Sequence, residues 1–429
     1  MSSPGTPDPA LVQQALQLFG QQRMAEALPL LEQLLETGNT PLPCVLALAD
    51  ARERTGNAAG AINLLEHLYR AIPQEEYAVV LAAVLLRAGA RSALDHWMPQ
   101  WIAAHPGSTR LLAMQSEYLL KSGEYARGFA LMPYRWALSQ EQRTTTALPC
   151  PDWDGRPFDG TLLVGTEQGL GDVVLWSSLF EDLVALRQRA LIACDPRLLP
   201  LFRRSFPGLA FADRQTAPLN EPGKLAGNRK IESVDMAPLF RSTIADFPAR
   251  RGWLQPDAVR TGEFRKELHA RFPGKRLVGL SWRSHRDLRG ETKNIPVTAL
   301  APLLKCNDLV CFNLQYGDTS QDMAELAAAG LSLPVDAGID VTRDIDGVAA
   351  LLPALDCVVS SSNTLAHLAG ALGVDTCVLV PGARYVLWYW GYDGDTTVWY
   401  PAARIFRGPP REEWQQLAAI IAGRITDCR

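Results

Sequence analysis

Three glycines recur at a nearly constant interval in the first third of the chain. Gly56, Gly89 and Gly123 sit in the similar settings Arg54-Thr55-Gly56-Asn57-Ala58, Arg87-Ala88-Gly89-Ala90-Arg91 and Lys121-Ser122-Gly123-Glu124-Tyr125, 33 and then 34 residues apart. Pro73 and Pro106 each follow one of the first two glycines by 17 residues, where proline would end the second helix of a pair. Ala27 and Ala61, 34 apart, each open an apolar helix face: Leu28, Leu31, Leu34 and Leu35 in the first case, Ile62, Leu65 and Leu68 in the second. One helical hairpin cannot cover its own apolar face, so a chain built this way must stack neighbours into a continuous core.

A period of 34 with small residues at the helix crossing and proline at the exit is the tetratricopeptide (TPR) pattern. The repeats are degenerate, with Leu94 and Gly128 where alanine is expected, and a generic helical bundle is the alternative. The expected organisation is a disordered terminus over 1–10, TPR-like helical repeats over 11–140 and a Pro/Gly/Asp-rich linker over 141–160.

Beyond the linker the pattern changes to strand–helix alternation. Thr161–Val164 reads as a strand, followed by the glycine loop Gly165–Gly171 and a helix from about Val173; Ala190–Cys194 reads as a second strand. A second set has strands at Leu277–Ser281, Leu309–Leu314, Cys357–Ser360 and Thr376–Val380, with helices fitting between them. The loop-rich stretch from Asn220 to Lys230 separates the two sets. This predicts two Rossmann-like doubly wound domains, 161–255 and 256–429, with ligands at the carboxyl ends of their strands.

Charge narrows the function classes. Lys plus Arg number 42 against 46 Asp plus Glu, a net charge of -4, so the basic excess of a nucleic-acid-binding chain is missing. No apolar run is long enough for stable membrane insertion, and the first ten residues lack the pattern of a secretion signal; a cytoplasmic location is the expectation. The eight cysteines (44, 150, 194, 306, 311, 357, 377 and 428) show no zinc spacing and read as buried, reduced thiols.

Three stretches could carry chemistry. The loop Glu167-Gln168-Gly169-Leu170-Gly171-Asp172 would let backbone approach a ligand at a helix start. Its spacing fails the dinucleotide fingerprint because Val174 occupies the third glycine position, and Asp172 could equally be a simple helix cap. Arg283, in Ser281-Trp282-Arg283-Ser284-His285, and Lys293 suit a diphosphate or carboxylate, or form a solvated cationic loop. Ser362-Asn363-Thr364, opening a helix that carries His367, could cradle an anion, or His367 could be a core histidine. Three Asp-x-Asp pairs (152/154, 344/346, 393/395) are explained by linker, cap and turn roles, so no metal is placed. The aromatics Tyr385, Trp388, Tyr389, Trp390, Tyr392, Trp399 and Tyr400 could stack on sugars, or pack between domains.

Six stretches in order, GTEQGLGDVVLWSSLFEDL, CDPRLLPLFRRSFPG, VGLSWRS with TKNIPVTALAPLL, FNLQYGD, LDCVVSSSNTLAHLAGALGV and VWYPAARIFRG, give the region from about residue 150 to 425 a family likeness. With the helical repeats before it, the chain resembles bacterial TPR-containing glycosyltransferases whose catalytic half is related to the ADP-heptose:lipopolysaccharide heptosyltransferases (glycosyltransferase family nine, GT-B fold). The resemblance implies an acceptor-binding amino-terminal lobe and a nucleotide-sugar-binding carboxy-terminal lobe, with no cofactor and no metal.

By that resemblance Asp172 matches the general base, with Glu167, Gln168, Gly169 and Gly171 forming the acceptor-side loop. Arg283 and Lys293 match positions contacting the donor phosphates, Ser362 to Thr364 and His367 the diphosphate cradle, and Gln315 and Tyr316 the nucleotide pocket. Ser362-Asn363 replace the family's usual Asp-Thr, and Gly382–Gly394 departs from its Pro-x-x-Trp-Arg-Trp pattern. A fused peptide-binding array implies a protein acceptor, with O-glycosylation of flagellin the leading case. The alternatives are a glycan- or lipid-directed enzyme and a non-catalytic TPR adaptor.

Overall fold

The computed structural model describes residues 7–138, 148–215, 227–247, 249–284, 294–382, 385–408 and 414–427. The chain divides into two compact units: residues 1–118 with 134–138 and 383–385, and residues 119–133 with 139–382 and 386–429.

The first unit is helical: Pro9–Gly20, Met24–Glu36, Leu42–Arg54, Ala58–Ala71, Glu75–Ala88, Arg91–Ala104 and the start of Thr109–Lys121. Its first helix begins inside the terminus expected to be disordered, because Asp8 caps it by accepting from Ala10 N–H at 2.9 Å and Pro9 supplies a φ already suited to a first turn. The first six helices pack each on the next, and the third also packs on the first and the fifth. Ala27, Leu31, Leu34, Ala61 and Leu65 are fully buried, which is the apolar stripe read from the sequence.

The recurring glycines stand where the backbone turns left-handed, with φ of +98° at Gly56, +66° at Gly89 and +81° at Gly123. Residues carrying a Cβ rarely adopt such values. The period also appears in side-chain pairing. Buried Glu53 accepts from Arg87, 34 residues on, at 3.0 Å, and Arg110 reaches Glu75, 35 residues back, at 2.9 Å.

The second unit contains two parallel sheets. β1 (Leu162–Gly165), β2 (Ala190–Cys194), β3 (Ala210–Asp213) and β4 (Arg229–Glu232) form one, in the order β3-β2-β1-β4. β5 (Arg276–Ser281), β6 (Leu309–Asn313), β7 (Val335–Asp336), β8 (Cys357–Ser361), β9 (Thr376–Pro381) and β10 (Ala403–Gly408) form the other, ordered β10-β9-β8-β5-β6-β7. All pairings are parallel. Strands covered on both faces should be apolar throughout, and every residue of β1, β8 and β9 is buried. β3, β4, β7 and β10 were not anticipated; each is short or carries charge, and β4 begins within the stretch read as loop.

Both sheets switch direction at a central strand: β1 lies between β2 and β4, and β5 between β6 and β8. The crevice outside the carboxyl ends at such a point is the ligand position in doubly wound sheets. The glycine loop follows β1, Ser281–Ser284 follows β5, and Ser361–Asn363 follows β8.

The segment Gly252–Leu254 binds the far end of the helix after β8: Trp253 N–H and Leu254 N–H donate to Ala371 C=O at 2.8 and 3.0 Å. A Cβ at Gly252 would lie 2.5 Å from the backbone nitrogen of Gly373, and backbone cannot step aside cheaply. Gly252→Ala is therefore expected to destabilise the protein by about 1–3 kcal/mol, read as a lower urea midpoint; an unchanged midpoint would show that the contact relaxes freely.

Candidate functional site

A cleft of about 540 Å³ in the second unit is lined from both sheets, within the usual range for small-molecule sites of roughly 300–1,000 Å³. Gln168, Gly169, Gly171 and Asp172 line it from the loop after β1, and Ser362, Asn363, Thr364 and His367 from the turn after β8. Tyr316 and Ser284 complete the wall at the ends of β6 and β5, joined by a 3.3 Å hydrogen bond from Tyr316 Oη to Ser284 Oγ.

The loop after β1 is held from below: Thr166 Oγ1 donates to Ala193 C=O at 2.8 Å. Gln168 takes a left-handed φ of +69°, which turns the chain into the helix Leu170–Trp176. Half-buried Asp172 accepts from Gly169 N–H at 3.1 Å, so it caps its own helix while facing the cleft. Glu167 is buried and lies outside the cleft wall.

Across the cleft, Asn363 caps the helix Thr364–Ala371 by accepting from Leu365 N–H at 2.9 Å. Its Nδ2 donates to Ser281 Oγ at 2.8 Å and to Arg283 C=O at 3.2 Å, tying β8 to β5. Ser362 Oγ accepts from Trp390 Nε1 at 2.8 Å. The two helix starts touch: a Cβ on Gly171 would lie 2.8 Å from His367 Cδ2 and 3.2 Å from Thr364 Cα. Only a residue without a side chain permits that approach.

Two residues assigned to donor binding stand elsewhere. Gln315 is 2% exposed and behind the wall. Its Oε1 accepts from Ser281 Oγ, Trp282 N–H and Arg283 N–H at 2.9 to 3.1 Å. Its Nε2 donates to the carbonyls of Arg283 and Tyr316 at 3.2 and 2.9 Å, so the amide shapes the wall. Arg283 pairs with Asp322 at 2.7 Å and also donates to Asp318 C=O; it does not line the cleft. Lys293 lies outside the described residues.

Two arginines to which the sequence reading assigns no role, Arg197 and Arg214, line the cleft; Arg197 lies within the stretch CDPRLLPLFRRSFPG. Asp195 follows β2 directly and accepts from Arg197 Nε and Nη2 at 2.9 and 2.8 Å; Arg214 lies 3.8 Å from the same carboxylate. A strand ending in Asp-Pro-Arg was the available signal. The Arg197 pairing, opposed by burial, holds the Asp195 carboxyl below the ordinary carboxylate range.

The aromatic cluster is mainly packing: Trp390, Trp399 and Tyr400 are buried, while Trp388 lines the cleft and stacks on Trp176 at 5.5 Å between centroids. Burial, with the charge of Asp172 adding to it, raises the Tyr389 and Tyr400 hydroxyls well above their ordinary pKa. Asp344 caps a helix by accepting from Gly347 N–H at 2.8 Å, the role read for that Asp-x-Asp pair, and also pairs with Arg260, while Asp346 pairs with Arg204. Burial pushes the Cys194 and Cys311 thiols up to about 12.

No protein-family model matches the chain. Protein FlbA of Caulobacter vibrioides is 30% identical over 342 residues, covering 75% of this chain. The chain spans 56% of that relative's length. Among solved structures, E. coli ADP-heptose lipopolysaccharide heptosyltransferase II is 14% identical, with a TM-score of 0.43 over 63% of this chain and 99% of that one. A glycosyltransferase of family nine from Veillonella parvula is 12% identical, with a TM-score of 0.40 over 58% and 86%. A Thermobaculum terrenum O-GlcNAc transferase mutant is 14% identical, with a TM-score of 0.32 over 99% and 92%.

A lowered Asp195 pKa stabilises the fold wherever the carboxyl is ionised in the native state. The contribution is complete above the unfolded value of about 3.9 and is lost as pH falls through the native one. Asp195→Asn should therefore lower stability at pH 7, with the gap closing under acid. Denaturant melts of both proteins from pH 7 to pH 3 read this directly; a gap independent of pH would refute it.

Proposed function

We propose that the protein is a glycosyltransferase that moves a sugar from a nucleotide-sugar to a hydroxyl of a protein, with the helical unit recruiting that protein in the manner of TPR repeats. The observation carrying the reading is the cleft at the carboxyl ends of two parallel sheets, where a carboxylate on one helix start faces the capped start of another. The sequence resemblance supplies the reaction class, and the GT-B arrangement of two lobes belongs to the same proposal.

Asp172, half-buried at the cleft, would take the proton of the attacking hydroxyl. A positioned general base is typically worth about 100- to 10,000-fold. The backbone N–H at Thr364 would meet the departing phosphates, where a helix start favours negative charge. Arg197 and Arg214 are the guanidinium groups among the described cleft residues and add positive potential. Flagellin remains the leading acceptor, by resemblance alone.

A second reading, a non-catalytic adaptor with a disused transferase half, is favoured by the engagement of Arg283 with Asp322. A thermal-shift panel of nucleotide-sugars separates the two: an enzyme should be protected by its donor, and an adaptor by none. Comparing glycopeptides of flagellin and other candidate acceptors from cells with and without this protein tests the acceptor; an unchanged glycopeptide set rejects it.

Asp172→Asn should reduce sugar transfer by at least about 100-fold while leaving donor protection in the thermal shift intact. Near-normal turnover by a folded Asp172→Asn protein would remove the base assignment.

A further inference from the structure

Tyr400 is fully buried and closely packed. Its ring stacks on Trp253 at 5.6 Å and 14°, and a Cβ at Gly370 would lie 2.5 Å from the ring. Among the described residues its hydroxyl has one hydrogen-bond partner, His367 Nδ1, at 2.7 Å. A buried O–H left without an acceptor is costly. The phenol therefore donates, Nδ1 accepts, and the proton of the imidazole sits on Nε2.

The ring is fixed in other ways. Trp390 stacks on His367 at 5.6 Å and 26°, and Tyr389 meets it edge-on at 4.8 Å. With Nδ1 turned to Tyr400, the opposite edge, Cδ2, faces Gly171. Nε2 is bonded to Cδ2, so it lies on the side of the Gly171–Asp172 turn, and His367 itself lines the cleft.

We propose that Tyr400 is a positioning residue that fixes the tautomer and tilt of His367, so that the cleft meets an N–H donor beside Asp172 rather than a lone pair. A lone pair there would repel the carboxylate and any phosphate oxygen; an N–H attracts either. What this donor serves rests on the transferase reading above, whereas the tautomer does not. Tyr400 acts through His367 and touches no substrate.

The test is ¹⁵N NMR of histidine-labelled protein, with His367 assigned among the six histidines by loss of its signals in His367→Gln. Wild type should show Nε2 protonated and Nδ1 as a hydrogen-bonded acceptor. Tyr400→Phe keeps the ring and its stacking, and should move Nδ1 to the position of an unbonded nitrogen while cutting kcat for sugar transfer by about tenfold, the worth of one ordinary hydrogen bond. A proton on Nδ1 in wild type overturns the proposal even if Tyr400→Phe fails to fold. So does a folded Tyr400→Phe protein whose His367 resonances or kcat do not change. Wild type with the stated resonances but no transfer from any donor supports the tautomer assignment and contradicts the transferase reading instead.

Discussion

The candidate site depends on the absence of a side chain at residue 171. Two helix starts approach until a single Cβ would collide with His367 and crowd the backbone of Thr364. That approach brings the carboxylate of Asp172 and the cap at Asn363 into the wall of one cleft. Asn363 extends the constraint, because its amide reaches back to Ser281 and Arg283 at the end of β5. Gln315 then holds the same turn from beneath through four hydrogen bonds. Three strand ends are thereby fixed relative to one another.

The electrostatics of the cleft differ from a plain anion trap. Asp172 and Asp195 stand with Arg197 and Arg214 in its wall, so charges of both signs are spread over a small volume. Arg197 is already committed to Asp195 by two hydrogen bonds and donates to Thr342 C=O at 2.9 Å. On the proposed reading, backbone dipoles at the helix starts would therefore matter more for an incoming phosphate than a count of cations suggests. Such fixed dipoles require little reorganisation when charge moves.

Much of this was legible in the sequence, for reasons that can be named. The glycine period announced the helical unit because left-handed turns at Gly56, Gly89 and Gly123 tolerate few other residues. The apolar runs of β1, β5, β8 and β9 announced parallel strands because both faces are covered. Gln168, Gly169, Gly171, Asp172, Tyr316, Ser362, Asn363, Thr364 and His367 meet at one cleft, as strand ends in a doubly wound pattern should. Arg283 and Gln315 were less legible: a cation or amide at a strand end has the same sequence signature whether it faces a ligand or ties loops together. Their partners, Asp322 for one and the Ser281–Arg283 turn for the other, are set by three-dimensional packing. Arg197 carried a local signal in the Asp-Pro-Arg that ends its strand, whereas nothing local separates Arg214 from a surface arginine. Tyr400 lay hidden in an aromatic-rich stretch whose composition signals packing and gives no hint of a hydrogen bond to His367.

The central claim is that one cleft seats a nucleotide diphosphate at the helix start following β8, opposite Asp172. A crystal structure of the protein with a bound nucleotide-sugar tests it most directly. The diphosphate is expected within hydrogen-bond distance of the backbone nitrogen at Thr364, with the sugar turned toward Asp172. A nucleotide-sugar seated elsewhere on the molecule, or one in this cleft with its sugar turned away from Asp172, would contradict it.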